Sequence, residues 1–284
     1  MKKILIWVSV LSVLNVHAGF IALTDSFSVE VFDDTGTKTS SVSLTGSGAA
    51  TGANLVSMTY GNFRGNGNEL IVLRDTGYIE YYGDPLSSGS SLPRLGYDAL
   101  ENGGRSMSAI STVAGGSSLV VAANPDVNGG TYGYEYDGSL EGPLLDRVAA
   151  VNVAATHGPY ISLAAGPDLH STAGQDWAFL GDDGWVEIYS DSVPGGSYER
   201  ISYFNAGPTA SEIAVTDDDL YAALYENNTV QLWTLAGVQS GSAVTLDSSS
   251  TLVGFASVVP EPATAGIFVF SGLVLFVFRR GLKK

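Results

Sequence analysis

The sequence predicts an all-β protein, a five-bladed β-propeller closed by a C-terminal strand that joins the N-terminal blade, followed by a C-terminal transmembrane helix. Three observations carry that prediction. Five hairpin-like units each reach an aromatic late in their second strand, at Phe32, Tyr82, Tyr136, Tyr189 and Trp233. The separations are 50, 54, 53 and 44 residues, the length of a four-stranded blade. A short strand of small residues precedes every hairpin but the first, and an unmatched strand of the same character stands near the C-terminus. The rival architecture is a β-sandwich of similar length.

In chain order, Lys2 and Lys3 precede the apolar run Ile4 to Val16, and Val16-His17-Ala18 suits a signal peptidase. Residues 1–18 therefore read as a secretory signal peptide cut after Ala18. Residues 19–257 form the propeller domain. Its hairpins are Phe20 to Thr24 into Phe27 to Asp33, Glu69 to Arg74 into Tyr78 to Tyr82, Ser118 to Ala123 into Tyr132 to Tyr136, Asp176 to Leu180 into Trp185 to Tyr189, and Asp219 to Leu224 into Val230 to Thr234. Thr76-Gly77, Asn128-Gly129, Asp183-Gly184 and Asn227-Asn228 supply residues that tolerate positive φ in tight turns.

The innermost strands are Val56 to Thr59, Ile110 to Val113, Ile161 to Ala164 and Ile213 to Thr216, because crowding near a propeller axis favours small side chains. Leu252 to Ala256 becomes the innermost strand of the first blade and seals the ring, leaving no open sheet edge at the seam. Outer strands are expected near Ser41 to Leu44, Leu92 to Tyr97, Leu144 to Ala149, Tyr198 to Phe204 and Ala243 to Leu246.

Residues 258–284 differ in kind. Pro260-Glu261-Pro262 is followed by an uncharged run, 263–278, read as a transmembrane helix, and then by Arg279, Arg280, Lys283 and Lys284, which hold that end in the cytoplasm. A Pro-Glu-Pro triplet, one short hydrophobic span and a terminal basic cluster resemble the PEP-CTERM sorting signal of exported bacterial proteins. The resemblance covers about the last 27 residues. It implies an exosortase-type processing enzyme as partner, insertion in the inner membrane during transit, removal of the tail, and arrival at the cell surface of a bacterium that makes exopolysaccharide.

Between the two removed ends, seven Lys and Arg face 28 Asp and Glu, a net charge of −21. Such a surface repels nucleic acid and excludes it as a partner. Cysteine is absent, so neither disulfides nor thiolate metal sites hold the fold.

Candidate chemistry is thin, and no cofactor is expected. Gly61 to Gly67 resembles the calcium loop of integrin-type propeller repeats, with Asn62, Arg64 and Asn66 where carboxylates would stand. Asp182-Asp183 and Asp217-Asp218-Asp219 are denser carboxylate clusters that offer oxygen ligands to a cation such as Ca2+. Glu212 and Asp168 lie near innermost strands, where a glycosidase would carry its acid and base. His157 and His170 read as loop residues, and no nucleophile-elbow pattern accompanies them. Trp177 and Trp185 flank a turn and are expected to be an exposed pair suited to sugar rings, whereas the five recurring aromatics are expected in the core. The leading functional expectation is a non-enzymatic surface propeller that binds extracellular polymer or another surface protein. The second is a carbohydrate-active hydrolase or lyase.

Overall fold

The computed structural model describes residues 18–46, 54–63, 67–100, 107–112, 118–123, 131–137, 144–145, 147–153, 157, 159–167, 175–190, 198–216 and 220–258. Among these the chain is all-β and propeller-like, and no helix is long and apolar enough to cross a membrane. The signal segment, the Pro260-Glu261-Pro262 triplet, the run 263–278 and the basic cluster lie outside the described residues, as do Asp168, His170 and Asp217 to Asp219.

The strands fall into four-stranded antiparallel sets. The first holds β1 (Ala18–Thr24), β2 (Ser28–Asp33) and β3 (Lys38–Thr45). The second holds β4 (Leu55–Gly61), β5 (Glu69–Arg74), β6 (Tyr78–Tyr82) and β7 (Ser91–Leu100). The third holds β8 (Met107–Thr112), β9 (Ser118–Ala123), β10 (Thr131–Asp137) and, after the two-residue β11 (Leu144–Leu145), β12 (Arg147–Val153). The fourth holds β13 (Tyr160–Pro167), β14 (Gln175–Gly181), β15 (Trp185–Ser190) and β16 (Glu199–Asn205). The fifth holds β17 (Ala210–Val215), β18 (Tyr221–Tyr225), β19 (Thr229–Trp233) and β20 (Gln239–Thr245). The last strand, β21 (Leu252–Ser257), completes the first set by pairing antiparallel with β1, Ile21 opposite Ala256 and Ala22 opposite Phe255.

The innermost strands pack in sequence, β21 on β4, β4 on β8, β8 on β13, β13 on β17 and β17 back on β21. Hydrophobic clusters fill each gap between neighbouring sets: Ile21, Val31, Met58 and Val72 between first and second; Ile71, Tyr81, Val121 and Tyr136 between second and third. Val120, Ala122, Trp177 and Phe179 lie between third and fourth; Leu180, Ile188, Ile213 and Trp233 between fourth and fifth; Phe20, Phe32, Leu224 and Phe255 between fifth and first. Middle strands covered on both faces need no polar alternation, which is why every residue of β5 is buried. A two-sheet sandwich would bury one face of each strand, so that alternative is overturned.

One turn geometry recurs. Phe27, Gly77, Gly184 and Asn228 have φ of 60, 81, 82 and 60°. Each donates its N–H to the last residues of the preceding strand (Thr24, Arg74, Gly181, Tyr225), and its carbonyl accepts from the outer strand or the residue just beyond it (Leu44, Leu100, Ala206, Leu246). The expected outer strand 144–149 is two elements. Leu144–Leu145 pairs in parallel with Ala99 and Leu100 of β7, while β12 pairs with β10. At its other end β7 pairs in parallel with β3, Leu44 opposite Leu92. Its ten residues outrun its own hairpin, and the free backbone groups find partners in the neighbouring sets.

Candidate functional site

Of the buried acids among the described residues, Glu30, Glu80 and Glu187 belong to a structural repeat, and Glu69, Asp176 and Glu212 stand outside it. Glu30, Glu80, Glu187 and Gln231 stand at the same register of β2, β6, β15 and β19, facing the preceding set, and all are buried. The outer strand, kinked by a β-bulge, brings a basic residue opposite the recurring aromatic: Lys38 opposite Phe32, Arg94 opposite Tyr82, Arg147 opposite Tyr136 and Arg200 opposite Tyr189. Lys38 and Arg94 each pair with their glutamate at 3.1 Å, and Arg200 pairs with Glu187, which also accepts from Tyr160. In the fifth set Gln239 stands opposite Trp233, and the acid becomes Gln231, which donates to the carbonyls of Leu232 and Ser240 at 2.9 and 3.1 Å. A neutral amide replaces the carboxylate where the cation is missing, which avoids an uncompensated buried charge. In the third set the buried Tyr134 occupies this place.

Lys38, Arg74, Arg94, Arg147 and Arg200 are the lysines and arginines among the described residues. Four of them are in ion pairs with these glutamates. Among the described residues, these four positive charges are thus neutralised by carboxylates buried between sets.

Glu212, the expected axial acid, lies outside that repeat. In the innermost strands the residue after a β-bulge faces the backbone of the next: Ser57 Oγ accepts from Ile110 N at 3.3 Å, and Ser162 Oγ from Ile213 N at 3.0 Å. A Cβ on Gly254 would come within 2.9 Å of Met58 N, the same relationship. Glu212 holds this position in β17, where Ser162 Oγ donates to its Oε2 at 2.7 Å. Burial pushes its carboxyl up to about 8, opposed by the Ser162 hydrogen bond. Its burial against the innermost strand of the fourth set favours the neutral form.

The exposed chemistry lies in the fourth set. Trp177, expected to be exposed, is fully buried: β14 aims it between third and fourth sets, its ring 4.2 Å from Tyr198. Trp185 sits at the mouth of β15, half-buried, with the His157 ring stacked on it at 4.7 Å and the Tyr203 ring at 5.7 Å. Tyr203 is 57% exposed, Ile201 beside it 37%, and the Arg200 guanidinium lies 5.4 Å from the Tyr203 ring centre. The patch is held from beneath. Asp183 Oδ1 accepts from Trp185 N at 3.2 Å and Oδ2 pairs with His157 Nδ1 at 3.2 Å. Gly184, at φ 82°, leaves no room for a side chain, since a Cβ there would stand 2.0 Å from the Gly207 carbonyl oxygen. Asp182 and Asp183 therefore shape a turn. Among the described residues no group of three or more His, Cys, Asp or Glu is placed to hold a metal ion.

The second set carries a reduced version. Tyr78 stands where Trp185 does, and Arg94, Leu95 and Tyr97 repeat the order of Arg200, Ile201 and Tyr203. The Arg94 guanidinium is 5.0 Å from the Tyr97 ring centre, and Leu95 and Tyr97 are 59% and 54% exposed. Sequence reasoning found Trp185 and missed Tyr203 and the glutamate repeat. A polar residue two places before the aromatic in four hairpins was the signal available.

No family model matches the chain, and no curated protein matches it. The chain is similar to the solved structure of U3-55K at 13% identity and a TM-score of 0.47, over 78% of this chain and 59% of that one. It is similar to Raptor from Chaetomium thermophilum at 13% identity and a TM-score of 0.47, over 84% and 22%. A protein of unknown function from Bacteroides caccae aligns at 10% identity with a TM-score of 0.45, over 81% and 73%. The chain thus spans 59% and 22% of the length of the first two.

Proposed function

We propose that this chain is an exported, surface-sorted, non-enzymatic propeller of five blades, closed by β21 on β1, that binds neutral extracellular polymer through the Trp185 patch. The observation that carries the binding reading is the stack of His157, Trp185 and Tyr203 at the surface beside Asp183, ring faces and polar groups in the combination that sugar rings engage. Neutral polymer is favoured because four of the five described Lys and Arg are engaged with buried glutamates and the net charge between the two removed ends is −21, so a polyanion is repelled.

Export rests on residues 1–18, and sorting on the PEP-CTERM resemblance of Pro260, Glu261, Pro262, the span 263–278 and the cluster Arg279, Arg280, Lys283 and Lys284. In this reading the span enters the inner membrane, an exosortase-type enzyme removes it, and the domain reaches the surface. The second reading, a carbohydrate-active hydrolase or lyase, is favoured by one observation, the raised carboxyl of Glu212. A neutral acid can donate a proton, but the carboxylate-pair mechanism also needs a base or nucleophile across the bond. The described partner of Glu212 is a serine.

Two measurements test the proposal. The mass of the protein recovered from the surface of its native host should correspond to a chain beginning at Gly19 and lacking the span after Pro262; retention of Arg279 to Lys284 overturns the sorting. Electrophoresis through gels containing neutral or acidic polysaccharide should retard the protein in neutral gels alone; free migration in every neutral gel overturns the binding.

A further inference from the structure

The β1–β21 pair sets where the chain leaves the fold. Val258 N donates to Gly19 O at 3.3 Å, and Phe20 stands opposite Ser257, so entry and exit lie side by side at one end of the innermost strands. The turn holding Asp34 is at the same end, a Cβ on Gly19 coming within 2.9 Å of Asp34. The recurring turns at Phe27, Gly77, Gly184 and Asn228 mark the opposite end, and the Trp185 patch lies there with them. Two apolar runs, Ile4 to Val16 and 263–278, therefore depart from the end remote from the patch.

Length turns this adjacency into an orientation. From Val258 to Ala263 the chain takes five steps, a reach of about 17 Å. Strands of six or seven residues make the domain about 20 Å thick, and three strand spacings put the outer strand roughly 15 Å beyond the inner one. To bring the patch end to the bilayer, the tether would have to cross the blades and climb the full thickness, roughly 35 Å. A tether of half that length, leaving from an innermost strand, lets the domain tilt and does not let it invert.

We propose that, while 263–278 is in a membrane, the end carrying Gly19, Asp34 and Val258 faces the lipid surface and the Trp185 patch faces away from it. This rests on the membrane reading of that span. The occupant of the terminal end is a bilayer, held by the tether at a distance that the acidic surface keeps from closing.

The chain has no cysteine, so Asp34→Cys and Thr76→Cys each give one labelling site, both exposed, at opposite ends. The full chain is reconstituted in phosphatidylethanolamine–phosphatidylglycerol vesicles bearing an acceptor dye on the headgroup, and energy transfer is read from a donor at position 34 or 76. Transfer at position 34 should exceed that at position 76 several-fold. Inserting twenty Gly and Ser residues after Val258 should bring the two together. Equal transfer in the floated chain without the insertion overturns the orientation alone. A full chain that does not float with vesicles overturns the membrane reading as well, and leaves polymer binding to stand on its own test.

Discussion

Arg74 Nη2 donates to Glu80 Oε2 at 3.1 Å with 3% and 1% of the two side chains exposed, deep between the first and second blades. Arg94 reaches Oε1 of the same carboxylate at 3.1 Å, and the Tyr82 hydroxyl donates to Oε2 at 3.1 Å. Glu80→Ala takes the carboxylate away from the buried Arg74 and should cost about 3–5 kcal/mol in urea unfolding. Replacing both residues, Arg74→Met with Glu80→Leu, should recover most of it. A double variant as unstable as the single one would show that the blades depend on the charge pair itself.

Glu212 makes stability fall as pH rises. Its folded pKa of about 8 lies above the ordinary 4.5, so folding takes up a proton in between. The penalty is absent below about pH 4.5, grows to about pH 8, and at pH 7 amounts to at most about 3 kcal/mol. Glu212→Gln should therefore stabilise the protein at pH 7 and leave it nearly unchanged at pH 4.5. Parallel stability curves for the two proteins would contradict this.

Closure depends on β21. Phe255 is buried, its ring 5.3 Å from Phe20, and the strand covers β1 and packs on β4 and β17. A chain ending at Ser248 loses that burial and exposes the inner edge of β1, for a loss of more than about 5 kcal/mol. A chain ending at Val259 should melt like the intact domain. Equal melting temperatures for the two truncations would refute the clasp.

The strands and their ring were legible because their signals are local. Alternating apolar runs, Gly77, Gly184 and Asn228 in left-handed turns, and small residues in the innermost strands each act within a few positions. The glutamate–cation repeat was not legible because its two halves lie across loops of unequal length: Lys38 follows Phe32 by six residues, Arg94 follows Tyr82 by twelve, and Arg147 and Arg200 follow their tyrosines by eleven. The substitutions Gln231 and Tyr134 blur it further. Trp177 and Trp185 look alike in sequence, and only the aim of β14 into the gap between blades buries the first. The patch joins His157, Trp185 and Tyr203 from three separate segments, a juxtaposition that needs the fold.

The most direct test of the account is retention of the protein on an immobilised neutral polysaccharide, with the eluate analysed for released sugars. The wild type should be retained reversibly, unaffected by chelation of divalent ions, and should release nothing. Trp185→Ala and Tyr203→Ala should each weaken retention about five- to tenfold, the loss of a stacking contact worth about 1–1.5 kcal/mol. Retention untouched by both substitutions would contradict the binding site, and sugar release abolished by Glu212→Ala would make the protein an enzyme.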